Sequence, residues 1–81
     1  MILSIFYFKG NGQIREIVNS ECKQTLAIYG EENAPLLGEA IGVLYYKYNT
    51  VLYDDLVRGA YKVEEGKLVL KSQDSNELEQ I

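Results

Sequence analysis

Apolar positions along the chain fall in short runs separated by breaks rich in glycine, asparagine and acids, and the first run is the most readable. Ile2 to Phe8 is β-branched and aromatic, Lys9-Gly-Asn-Gly12 supplies positions that accept positive φ, and a second apolar run, Ile14 to Val18, follows at once. These signals predict an antiparallel β-hairpin. In the first strand Ile2, Phe6 and Phe8 fall on one face and Leu3, Ile5 and Tyr7 on the other. Both faces are apolar. Either this strand is central and covered on both sides, or one face meets another chain. The second strand is more ordinary, with Arg15 and Glu16 giving it a polar component.

Asn19 to Lys23 reads as a turn, and Gln24 to Tyr29 as a third strand ended by Gly30. Asn33 is placed to N-cap a helix whose first turn tolerates Pro35. From Pro35 to Tyr48, Leu37, Ile41, Leu44 and Tyr48 recur at helical spacing, with Ala40 and Tyr45 widening the stripe. Gly38 and Gly42 weaken that helix, at about 1 kcal/mol each relative to alanine. The competing reading makes Ile41 to Tyr48 a strand, favoured by Val43, Tyr45, Tyr46 and Tyr48. Asn49-Thr50 is a break, and Val51 to Val57 carries Asp54-Asp55 toward a cap, a turn or the wet side of a short helix. Ala60 to Val63 and Lys67 to Leu70, joined by Glu64-Glu65-Gly66, form a second hairpin. The pattern predicts an α+β fold: a small antiparallel sheet built from N- and C-terminal hairpins with one or two short helices. All-β is the alternative. Residues 1–71 read as one domain and 72–81 as a polar tail able to form a short terminal helix.

The 81 residues predict a radius of gyration of roughly 12 Å and a thin core. Domains this small gain stability from disulfides, metals or self-association. A single cysteine, Cys22, and the absence of histidine close the first two routes and leave oligomerisation. The lone thiol, and an apolar start with neither a basic flank nor a cleavage site, predict synthesis in a reducing cytoplasm. The same stretch is too short for a membrane span, so no membrane partner is expected. The net charge of −4 disfavours binding to nucleic-acid phosphates.

Candidate chemistry is sparse. Gly10-Asn11-Gly12 could pass for a phosphate loop, but a strand follows it where such loops need a helix N-terminus. The acid pairs Glu31-Glu32, Asp54-Asp55 and Glu64-Glu65 each sit beside a turn signal, and adjacent side chains diverge, so they read as solvated charges. Without histidine, Cys22 lacks its usual activating base and reads as a half-buried structural thiol. The expectation is a protein that is not an enzyme, with no cofactor and no metal.

The tyrosines are the best lead. Tyr45, Tyr46, Tyr48, Tyr53 and Tyr61 crowd together, interleaved with Lys47, Arg58 and Lys62. Tyrosine offers stiff contact area with a hydrogen-bonding tip and is favoured at interfaces, although packing in the core is the plainer use. Tyr45 and Tyr46 cannot both face inward on one element, so at least one is expected to be exposed or at a subunit boundary. Tyr45, Tyr46, Tyr48 and Tyr53, with Phe6 and Tyr7 of the two-faced strand, are therefore the expected interface residues.

Two segments also carry a resemblance. Phe6-Tyr-Phe-Lys-Gly-Asn-Gly-Gln-Ile-Arg-Glu-Ile-Val18 resembles the start, and Tyr61-Lys-Val-Glu-Glu-Gly-Lys-Leu-Val-Leu70 the closing hairpin, of small tail-region accessory proteins of siphophages infecting Gram-positive bacteria. The resemblance covers about a third of the chain, rests on hairpin grammar and carries no catalytic motif. It implies a tail-assembly accessory, assembly chaperone or minor virion component, oligomeric and made in the cytoplasm of a bacterial host. The expected function is a non-enzymatic protein-binding or assembly module that self-associates. The alternatives are a small acidic inhibitor masking a host enzyme or defence complex through Glu31, Glu32, Glu39 and the acidic tail, and, less favoured, a single-strand nucleic-acid binder using Tyr45, Tyr46, Tyr48 and Lys47.

Overall fold

The computed structural model describes residues 1–70 and residue 81. In chain order it contains β1 (Ile2–Phe8), β2 (Ile14–Ser20), a 3-10 turn (Leu26–Tyr29), α1 (Ala34–Leu37), β3 (Ile41–Lys47), α2 (Thr50–Val57), β4 (Tyr61–Glu64) and β5 (Lys67–Leu70). All strand pairs are antiparallel, in a three-stranded sheet ordered β2-β1-β3 and a two-stranded sheet β4-β5, so the fold is α+β. The Cα radius of gyration is 12.3 Å.

β1 is the central strand, which is why both of its faces are apolar. On the front face Leu3 and Ile5 join Leu44 and Tyr46 of β3 beneath Leu52 and Leu56 of α2, and Tyr61, Val63 and Leu68 of the second hairpin close that core. The N-terminus of α2 is capped by Asn49, whose side-chain oxygen accepts from Leu52 N–H at 3.1 Å. Tyr46 completes the seal, its hydroxyl accepting the buried Leu68 N–H at 2.9 Å. On the back face, fully buried Phe6 is covered by Tyr29 edge-on, with ring centroids 5.6 Å apart.

Two expected elements are corrected. The predicted strand at Gln24 to Tyr29 is instead an extended lead into the 3-10 turn. The backbone of Gln24 is held by side chains in place of a strand ladder: its N–H donates to Ser4 Oγ (3.0 Å) and its carbonyl accepts from the Tyr45 hydroxyl (2.7 Å). Ser4 and Tyr45 are cross-strand neighbours, so together they clip this segment over the back face. The predicted helix from Pro35 to Tyr48 is only the single turn α1, and β3 occupies Ile41–Lys47, as the competing reading had it. Asn33 does hold the N-cap position, but its side chain donates to the Tyr29 carbonyl and caps nothing.

Gly42 explains the glycine inside β3. It lies opposite Tyr7, and a Cβ there would come within 2.5 Å of the tyrosine ring. The ring lies across the bare backbone and fills the gap a mid-strand glycine leaves. The second hairpin closes through Glu65 (φ 53) and Gly66 (φ 74), a two-residue turn of the kind antiparallel strands favour. Of the predicted tail, 72–80 lies outside the described residues; Ile81 donates its N–H to the Tyr45 carbonyl on the outer side of β3 (2.8 Å). No helix among the described residues is long and apolar enough to cross a membrane.

Candidate binding groove at the edge of the sheet

The sheet order leaves β2 at an edge, and the parity of its ladder fixes which backbone groups point outward. Met1 and Lys9, at odd positions, bond across to Tyr48 and Ala40 on the β3 side, whereas Phe8 bonds to Gln13 on the β2 side. Even residues of β1 therefore serve β2. Their partners Val18 and Ser20 turn their backbone groups inward, and Ile17 and Asn19 turn theirs outward. Among the described residues nothing pairs with these outward groups. One end of the strand is modified by a bulge: the register skips Arg15 between the Phe6–Glu16 and Tyr7–Ile14 pairs.

Beside this edge lies a groove of about 730 Å³. It is lined by Ile14, Arg15, Glu16 and Ile17 of β2, Tyr53 and Val57 of α2, and Tyr61 and Lys62 of β4. α2 directs Leu52 and Leu56 into the core, which turns Tyr53 and Val57 to its flank; Val57 stays 63% exposed. Lys62 pairs with Glu64 at 2.7 Å, and the Arg15 guanidinium stacks 4.9 Å from the Tyr29 ring centroid. The Tyr29 hydroxyl is buried without a hydrogen-bond partner; burial, and after it the Glu16 carboxylate, raise its pKa.

The expected interface residues do not come together. Phe6 is 0% and Tyr46 3% exposed, so both belong to the interior, on opposite faces of the sheet. Both faces of β3 are covered within the chain: Tyr46 is buried by the front core, and Tyr45 is half-buried by Lys23 and Gln24. Burial raises the pKa of both hydroxyls. Tyr7 is half-buried over Gly42. Tyr48 and Tyr53 do meet, their ring centroids 6.2 Å apart at the rim of α2, and Tyr53 alone of the expected set lines the groove. The sequence reading passed over Ile17 and Val57, which line the groove, and Asn19, which lies further along the same open edge. The available signal was a strand of mixed polarity beside one that is apolar on both faces.

The acid pairs stay apart. Glu31, Glu32, Glu64 and Glu65 are exposed, and Asp55 pairs with Arg58. Among the described residues no three His, Cys, Asp or Glu side chains gather into a metal-binding group. Cys22 is exposed, not half-buried, because β2 ends at Ser20 and the chain leaves the sheet in a bend where Ser20 Oγ donates to the Cys22 carbonyl (2.7 Å). No protein-family model matches the chain, and no curated protein or solved structure matches it.

Proposed function

We propose that the protein is a non-enzymatic binding module that takes up an extended polypeptide segment by strand addition along β2. The observation that carries this reading is the pair of outward backbone positions at Ile17 and Asn19, unpaired among the described residues, beside a groove lined by Ile14, Ile17, Tyr53 and Val57 together with Arg15, Glu16 and Lys62. Backbone hydrogen bonds along an open edge supply affinity, and alternate side chains of the incoming segment enter the groove. Tyr53 and Val57 offer aromatic and aliphatic surface for those side chains, and Arg15, Glu16 and Lys62 offer charge at the rim. An accessory role in assembly, as the resemblance to siphophage tail proteins implies, would use this mode of binding.

A capped peptide of alternating valine and threonine, flanked by lysines for solubility, is a suitable probe. Binding should shift the Ile17 and Asn19 amide resonances. N-methylation of the peptide residues that face β2 should abolish binding, and methylation of the intervening residues should spare it. Asn19→Pro removes one outward donor at an edge position where proline fits, and should weaken binding about tenfold. Binding indifferent to the methylation pattern would contradict strand addition.

A further inference from the structure

We infer that Asn11 is a site of spontaneous covalent modification, losing its side-chain amide by ring closure onto the Gly12 nitrogen, and that the fold holds this reaction in check. Asn11 alone among the asparagines precedes glycine. Asn19, Asn33 and Asn49 precede Ser20, Ala34 and Thr50, whose side chains crowd the approach to the following backbone nitrogen. Glycine has no Cβ and leaves that approach open. Asn11 itself is exposed, in the turn between β1 and β2, and it lines the groove.

The reaction needs only water. The Gly12 nitrogen gives its proton to solvent base and bonds to Asn11 Cγ; the Cγ–Nδ2 bond breaks and ammonia leaves. Water then opens the cyclic imide at either carbonyl. One opening leaves aspartate at this position, and the other leaves isoaspartate, with the main chain rerouted through Cβ and Cγ. In the folded turn both reacting groups are engaged. The Gly12 N–H donates to the Phe8 carbonyl and Asn11 Oδ1 accepts from the Gln13 N–H, each at 2.8 Å. The bonded N–H is harder to deprotonate, and the tethered side chain is not free to turn Cγ toward it. Ring closure therefore waits on opening of the turn. The two products then differ in their effect. Aspartate keeps the oxygen acceptor for Gln13 and adds a negative charge to the groove lining. Isoaspartate inserts an extra backbone carbon ahead of Gly12, whose carbonyl accepts the Val63 N–H at 2.8 Å and whose α-carbon has no room for a substituent beside Val63. It therefore pushes the first hairpin away from β4.

Incubation of the full chain in mildly alkaline buffer, with and without denaturing guanidinium chloride, followed by peptide mapping in a mass spectrometer, tests this. In denaturant Asn11 should be the first asparagine to lose its amide, giving both aspartate and isoaspartate, and Asn11→Gln should remove these products. In the folded protein the loss at Asn11 should be at least about tenfold slower. The purified isoaspartyl form should unfold at a lower urea midpoint than the Asn11→Asp variant, which should unfold with the unmodified chain. Earlier loss at Asn19, Asn33 or Asn49 in denaturant overturns the site. Equal rates at Asn11 in folded and denatured protein overturn its control by the fold. An isoaspartyl form as stable as Asn11→Asp overturns the account of what the modification does to the turn.

Discussion

Phe6→Ala is expected to destabilise the fold by about 3–5 kcal/mol, the usual loss when a buried aromatic in a core is truncated. Phe6 is fully buried in the central strand, paired with Glu16 and Val43 on either side and roofed by Tyr29. Nothing nearby can collapse into the vacated space without unclipping the Gln24 segment that Ser4 and Tyr45 hold. The edge-on contact with Tyr29 adds roughly 0.5–1.5 kcal/mol beyond area burial. Phe8 is the control: it is 39% exposed, and Phe8→Ala should cost no more than about 1.5 kcal/mol. Urea titration reads the difference as a shift in midpoint at constant slope. A domain of this size has about 4–12 kcal/mol in hand, so the Phe6 variant should stand near its unfolding threshold. A loss below about 1.5 kcal/mol, the value set for Phe8, would mean that Phe6 lies at a surface after all.

Gly12→Ala is expected to cost about 3–4 kcal/mol through backbone strain and a displaced strand. Gly12 has φ 74, its carbonyl accepts the Val63 N–H at 2.8 Å, and its own N–H donates to the Phe8 carbonyl at 2.8 Å. A Cβ would collide with the Val63 carbonyl oxygen and sit 3.2 Å from the carbonyl carbon. The obstacle is backbone, so it cannot swing aside as a flexible side chain would. Relieving the clash moves β4 away from the first hairpin and opens the front core at Val63. Gly10, two residues earlier, has nothing within 4 Å of a built Cβ, and Gly10→Ala should change stability by less than about 0.5 kcal/mol. Equal effects at the two positions in thermal or urea unfolding would contradict the contact between the hairpins.

Both hairpins were legible because their signals were local. The Lys9–Gly12 and Glu64–Gly66 breaks provide the positive φ that turns require, and the apolar faces of Ile2 to Phe8 announce a strand buried on both sides. The middle of the chain was hidden by tertiary context. Ile41 is buried against the back face, beside Phe8, whereas Leu44 and Tyr46 are buried on the front. A strand covered on both sides loses its clean alternation, and here the residue spacing imitated a helical stripe. Ile28 and Tyr29 favour a strand by type, but Gln24 had already given its backbone bonds to Ser4 and Tyr45. The groove was illegible for a related reason. Composition marks tyrosines as sticky, whereas the candidate site depends on which strand is left at an edge, and that follows from β3 inserting beside β1.

The account stands on the outward backbone groups of β2 being available, and amide hydrogen exchange residue by residue along that strand measures this directly. In dilute solution the amides of Val18 and Ser20, turned toward β1, should be protected, and those of Ile17 and Asn19 should exchange nearly as fast as in an unstructured chain. Protection should spread to Ile17 and Asn19 when the valine–threonine peptide is added. Slow exchange at Ile17 and Asn19 already in dilute solution, unchanged by the peptide, would mean that the chain covers this edge itself, and the binding reading would fall.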